Sequence, residues 1–195
     1  MGHMQYKEAI SEKTISASVS EIQKQENYVK IEDISDEFLT AIVTVEDHRF
    51  YSHSGFDVIA SLRAVYVNIT IGSFNYGAST ITQQLGRILY FKQDKDPVRK
   101  LAEIFVAFNL EKEYEKEEIL ELYVNIIYYG KGYYGIYEAS HGYFDKEPSE
   151  LTFDEATYLA GLPNAPSVYS VNEKLGEQRR QQVIRAIEKY KDKLP

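Results

Sequence analysis

Apolar and polar residues succeed one another along this chain mostly at helical spacing, and one transition stands out. Residues 41–45 (Ala41, Ile42, Val43, Thr44, Val45) form an apolar run that gives way at once to Glu46, Asp47, His48 and Arg49. The run continues a helix that Ser35 or Asp36 can cap, with Phe38, Leu39, Ile42 and Val43 turned inward and an end near Glu46. A carboxylate at the end of a buried segment is where desolvation raises a pKa and prepares a general base. Taken alone, the same residues also describe a helix ending in a solvated charge cluster. Phe50, His53, Gly55 and Asp57 follow directly.

Beyond them Val58, Ile59, Leu62, Val65, Tyr66 and Ile69 recur at helical spacing until Gly72 and Gly77 interrupt. Ile71, Phe74 and Tyr76 in that break have no evident core partner, which suits a membrane or partner contact as well as a buried loop. Thr80 and Gln83 sit at capping-box spacing and open another helix, whose apolar stripe is Ile81, Leu85 and Ile88. On its other face Thr80, Gln83, Gln84 and Arg87 line up, either to hold a polyhydroxylated or phosphorylated ligand or simply to meet water. Helices are predicted over residues 98–114 with Leu101, Ile104, Phe105 and Phe108 inward, and again around Ile119, Leu122, Tyr123 and Ile126. A glycine–tyrosine loop at 128–135 without Walker spacing, a helix capped at Thr152 and ending at Gly161, and an amphipathic helix over 172–193 complete the chain. Residues 5–30 are polar and weakly patterned, so an irregular or partly extended lead-in is expected. Strand signals are few, and the fold class read here is mainly α, with roughly eight or more helices.

Composition narrows the picture. A chain of 195 residues, 44% hydrophobic and 27% charged, is a single globular domain. Residues 1–4 (MGHM) read as a cloning remnant, leaving 5–195 as the domain and any native signal or anchor outside this sequence. The net charge of −8 speaks against nucleic acid as a partner. Absence of cysteine excludes disulfides and thiolate metal sites. Seventeen tyrosines suit a carbohydrate groove or a membrane–water interface as well as a core. Within this acidic chain Arg87, Lys92, Lys95, Arg99 and Lys100 outnumber Asp94 and Asp96, a local reversal of sign that favours an anionic ligand such as phosphate. Arg99 and Glu103 stand four apart with the base first, the weaker order for a helix-stabilising pair.

Carboxylates on two helices, a Thr/Gln stripe and a cation cluster together suit glycosyl transfer from a phosphorylated sugar. His48 and His53 are misplaced for a shared helix face and no HExxH occurs, so no metal site is read from spacing. No GxSxG marks a nucleophilic serine.

Residues 46–57, EDHRFYSHSGFD, resemble the EDxxFxxHxGxD motif of the family 51 glycosyltransferases, the peptidoglycan glycosyltransferase domains of class A penicillin-binding proteins and their monofunctional relatives. Residues 77–85 (GASTITQQL) are similar to the family's GGSTITQQL, 99–103 to its RKxxE, 119–125 (ILELYVN) to its ILELYLN, and 159–169 to its LAGLPxAPxxY. The resemblance implies a lysozyme-like, two-lobed fold with a small membrane-associated jaw containing the apolar loop. It implies lipid II and the growing glycan strand as substrates, the extracytoplasmic face of the cell membrane as location, other cell-wall synthesis proteins as partners, and moenomycin as a ligand of the donor side. Glu46 is then the base and Glu103 the second carboxylate. Arg87, Lys95, Arg99 and Lys100 answer the pyrophosphate, with a divalent Mg or Mn ion there left open. Asp47, Ser79, Thr80, Gln83, Gln84 and Asn125 become substrate-binding residues, while Phe50, His53 and Gly55 shape the turn.

The chain departs from the family pattern at Arg87 (usually lysine), at Asp145 (a common glycine) and at Ser170-Val171, where a proline often follows the tyrosine. A lysozyme-like hydrolase or lytic transglycosylase, or a non-catalytic glycan- or lipid-binding module, remain the alternative readings.

Overall fold

Ser35 sets the first fixed point: its Oγ accepts the Phe38 amide and starts the helix that ends on Glu46 and Asp47. The computed structural model describes residues 2–72, 77–91 and 97–191. Among them, eleven α-helices follow in order: α1 (Gly2–Glu12), α2 (Ile15–Gln23), α3 (Asp36–Asp47), α4 (Val58–Ile71), α5 (Ile81–Tyr90), α6 (Pro97–Glu113), α7 (Lys116–Ile126), α8 (Gly135–Phe144), α9 (Phe153–Gly161), α10 (Pro166–Tyr169) and α11 (Glu173–Tyr190). A two-stranded antiparallel hairpin, β1 (Tyr128–Gly130) and β2 (Tyr133–Tyr134), lies between α7 and α8. The mainly helical class expected from the pattern is therefore the observed one.

Helix α3 packs on α9 and α11, α5 on α6 and α7, and α1 on α6. One core joins them, with Phe38, Ile42, Phe50, Ile81, Leu85, Tyr123 and Ile136 wholly buried. Each such side chain contributes about 1.5–3 kcal/mol on leaving water, and that anchors α3 and α5 against each other.

Residues 5–30 are not an irregular lead-in. They fold as α1 and α2, with Thr14 capping α2 through the Ala17 amide. Ile15, Val19 and Ile22 form a buried stripe along α2. Serines interleaved between them dilute the sequence pattern, and the core against which they pack supplies what local propensity does not. Gly2–Met4, set aside as a cloning remnant, form the first residues of α1. The glycine–tyrosine loop is likewise a hairpin. Gly135 closes it at φ +79, and a Cβ there would sit 2.4 Å from the Asn125 carbonyl oxygen, so only glycine lets the hairpin lie against α7.

Helix α4 forms where its spacing predicts, capped by Asp57 and terminated by Gly72 in the left-handed region. It does not bury its apolar face. None of its residues is buried, and Val58, Leu62, Tyr66, Ile69 and Ile71 are each more than half exposed. Phe74 and Tyr76 lie outside the described residues. No helix among the described residues is long and apolar enough to cross a membrane.

Candidate active site

Glu46 lies on the last turn of α3, where the buried run delivers it to the edge of a cavity. Gln84 of α5 donates its Nε2–H to Glu46 Oε2 at 2.9 Å, and the Tyr123 hydroxyl of α7 donates to Gln84 Oε1 at 3.1 Å. The other oxygen, Oε1, is buried and has no hydrogen-bond partner among the described residues. Burial raises the Glu46 pKa; the Gln84 hydrogen bond and the charges of Arg179 and Arg87 oppose this, Asp47 adds to it, and the net direction is upward.

The larger cavity, about 690 Å³, is bordered by Gln84, Arg87, Arg99, Tyr123, Tyr128 and Tyr134, with Pro163 and Pro166 on its wall. The smaller, about 240 Å³, is bordered by Glu46, His48, Arg49, Arg63 and Ser79, with α4 supplying Ile59, Ala60 and Val67. Glu46 and Gln84 belong to opposite cavities, and the hydrogen bond between them is the seam. One cleft is lined by cations and aromatic rings together, while residues of the exposed helix line the second pocket.

The rest of the first motif is scaffolding around this seam. His53 Nε2 lies 2.9 Å from Asp47 Oδ2, which also accepts the Ile81 amide at 3.2 Å and so ties α3 to the start of α5. Asp57 takes Arg49 Nε at 2.8 Å as well as the Ala60 amide; burial pushes its pKa up, but these bonds and the Arg49 charge prevail and hold it below the usual carboxylate range. Phe50 is buried, with the Lys116 ammonium 4.3 Å over its ring. Gly55 stands at φ +82 with the backbone of Ala107 3.0 Å from where a Cβ would be, and its carbonyl accepts the Thr80 hydroxyl at 2.7 Å.

Thr80 and Gln83 complete a reciprocal capping box at the start of α5, and both are buried. Sequence spacing places them beside Gln84 and Arg87 on a ligand-facing stripe. In the structure the Thr80 hydroxyl and Gln83 Oε1 close the helix end, where four helix-terminal amides need partners, while Thr80 also borders the smaller pocket. The Asp47 carboxylate is engaged by His53 and the Ile81 amide, and the residue borders the smaller pocket. Ser79 also lies on that pocket, and its hydroxyl accepts from Lys100 Nζ at 2.7 Å.

Glu103 is 1% exposed, with Arg99 Nε 3.1 Å from Oε1 and Lys100 Nζ 2.8 Å from Oε2. Of the two cations it pairs with, Arg99 borders the larger cleft, while Lys100 also donates to Ser79. Both Glu103 oxygens face a cation, and a divalent ion there would have to share those contacts. Asp47, His53 and Asp57 do come close enough to share one, but each is committed to the contacts just given. Lys95 lies outside the described residues.

With this geometry in place, similarity to known proteins is informative. The family description "Transglycosylase" matches residues 12–188. The chain belongs to that family. The expected family, the peptidoglycan glycosyltransferases, is thus the one found, and the domain is a glycosyltransferase. Among curated relatives, penicillin-binding protein 1F of Bacillus subtilis is 46% identical over 142 residues, 73% of this chain and 20% of its own length. Penicillin-binding protein 1A of Vibrio cholerae is 42% identical over 174 residues, 86% of this chain and 21% of its own. A shorter protein of Cupriavidus necator, also named as a transglycosylase, is 42% identical over 160 residues, 81% of this chain and 69% of its own. The chain thus spans about a fifth of the length of these penicillin-binding proteins.

In this transglycosylase Asn125 is not placed to meet a ligand. It is buried, with its amide spent on both backbone groups of Val29 and on the Glu121 carbonyl. Three residues that the sequence reading did not assign a site role do reach the site. Tyr123 was read as part of an apolar helix face, and its hydroxyl holds Gln84. Arg179 of α11 contributes positive charge at Glu46 from more than a hundred residues away, and nothing in its local sequence distinguishes it from its neighbour Arg180. Arg63 projects from α4 into the smaller pocket; a cation within an apolar stripe was the available signal.

Proposed function

We propose that this domain polymerises lipid II into β-1,4-linked glycan strands, and one observation carries the reading. Glu46 offers a desolvated carboxylate oxygen at the seam of two cavities, one suited to each sugar. The acceptor lipid II enters the smaller pocket beside α4 and places the 4-hydroxyl of its GlcNAc at Glu46 Oε1. The donor strand lies in the larger cleft, with its reducing-end MurNAc C1 against the seam and its pyrophosphate toward Arg87, Arg99 and Lys100; Lys95 is assigned to the same task.

As the acceptor oxygen attacks C1, its proton passes to Glu46 and the C1–O bond to the pyrophosphate breaks, inverting α to β. The leaving group departs as an anion, so cations serve it better than an acid does. Glu103 keeps Arg99 and Lys100 aimed at it. No covalent glycosyl-enzyme intermediate is needed, in contrast to a retaining glycosidase. A pKa raised by burial makes the Glu46 carboxylate a stronger base toward a hydroxyl proton.

The exposed face of α4 rests on the membrane that holds the undecaprenyl chains, at the extracytoplasmic surface, and forms the jaw. Its apolar residues form the floor of the acceptor pocket and its outer surface together, which suits a substrate whose head group must be lifted from lipid.

Incubation with labelled lipid II tests the proposal. A polymer that fails to form with Glu46→Gln or with moenomycin present supports it. Cleavage of finished peptidoglycan without polymerisation of lipid II would replace it by a hydrolase.

A further inference from the structure

Tyr123, Gln84 and Glu46 stand on three different helices, α7, α5 and α3, yet form one chain of hydrogen bonds. We propose that Tyr123 and Gln84 are positioning residues that determine which oxygen of Glu46 accepts the proton. The proposal rests on the reading of Glu46 as the base.

An amide has one end that only accepts and one that only donates. The Tyr123 ring is wholly buried, which fixes where its hydroxyl lies. That hydroxyl gives its hydrogen to Gln84 Oε1, so Gln84 must present Nε2–H to the opposite side, where Glu46 Oε2 accepts it. A flipped amide would set its oxygen against the carboxylate. Burial and the nearby Glu46 charge raise the Tyr123 pKa well above its ordinary value, so the phenol stays a donor throughout the working range. Glu46 is left with Oε2 occupied and Oε1 buried without a partner, and in this proposal Oε1 is the oxygen that meets the substrate hydroxyl.

The relay itself carries no proton. It does two things to the base: it prevents rotation of the carboxylate, and it stabilises the ionised form with one hydrogen bond, which opposes the upward push of burial. Loss of Tyr123's hydroxyl frees the amide, weakens both effects and moves the Glu46 pKa further upward. Gln84 and Tyr123 both border the larger cleft, so a plain ligand contact by either is the rival role.

The two are separated by measuring lipid II polymerisation in detergent micelles across pH for the unaltered chain, Tyr123→Phe, Gln84→Leu, the double variant and Glu46→Gln, with melting temperatures as fold controls. Tyr123→Phe keeps the ring and its packing. The expected result is a kcat about tenfold lower, as for the loss of roughly one directed hydrogen bond, with KM little changed and the acid limb at higher pH. Gln84→Leu should lose at least as much, and the double variant no more than Gln84→Leu, because Tyr123 acts only through the amide. An unchanged pH profile in Tyr123→Phe, a loss confined to KM, or additive effects would overturn the relay. Failure of the underlying reading looks different: Glu46→Gln would then polymerise at the normal rate.

Discussion

Asn125 clasps Val29 from both sides: its Nδ2 donates to the Val29 carbonyl and its Oδ1 accepts the Val29 amide, each at 2.8 Å. These bonds fasten the segment after α2 onto α7, next to Glu121, which takes the Ile31 amide at 2.8 Å and the Tyr28 hydroxyl. Asn125→Ala leaves two buried backbone groups unpaired and should cost about 2–4 kcal/mol of stability. Melting temperature should fall while KM for lipid II stays the same at a temperature where the variant is folded. A raised KM at unchanged melting temperature would return Asn125 to the substrate-binding set.

Glu46→Gln should lower polymerisation by about 10²–10⁴-fold, the range for a positioned general base. Its stability should move the other way. Because the Glu46 pKa is raised in the fold, the native state holds this proton more tightly than the unfolded chain between the ordinary carboxylate range and the raised value. The stability this gives is present below that range and is lost as pH rises through the raised value. The variant does not titrate, so it should melt higher than the parent at neutral pH, and the difference should close in acid. A lower melting temperature at neutral pH would contradict the desolvated base.

Glu103→Ala removes the one carboxylate between Arg99 and Lys100. The two cations then repel each other and splay, at a cost of about 1–3 kcal/mol, given that both remain partly solvated. Turnover should drop at least a hundredfold by the loss of aimed cations, on the order of what one preorganised electrostatic contact supplies. Glu103→Asp, which keeps the charge but shortens the reach, should fall in between. Wild-type turnover in Glu103→Ala would remove these cations from the mechanism.

Leu62→Glu combined with Ile69→Glu changes only exposed residues of α4. Folding stability should be within about 0.5 kcal/mol of the parent, as for ordinary surface changes. Partition onto vesicles of anionic and zwitterionic lipid should fall more than tenfold, which roughly two lost apolar contacts with lipid account for. Equal partition of variant and parent would leave the α4 face without a membrane role.

Legibility of the fold followed local information. Ser35, Thr80, Thr152 and Asn172 cap helices that their spacing announces, because a cap and its first turn lie within four residues of each other. Helix α2 went unread for the opposite reason: Ile15, Val19 and Ile22 acquire their meaning from a core assembled by distant segments. Helix α4 shows the same limit in reverse. Its apolar period is evident, but a period cannot say whether protein or lipid faces it.

For the site, the motif order in the chain pointed to the family, and it singled out Glu46, Glu103 and the cations that accompany Glu103 as the candidates. Residue type and spacing suffice there, since a carboxylate at the end of a buried run and bases four and three residues before Glu103 are features of one helix each. Tertiary structure alone decided which partners the polar residues of these motifs engage. Thr80, Gln83, Asp47 and Asn125 are drawn into caps and clasps because buried backbone groups must be paired, whereas Gln84 is pinned between Tyr123 and Glu46 by helices that meet only in the folded chain.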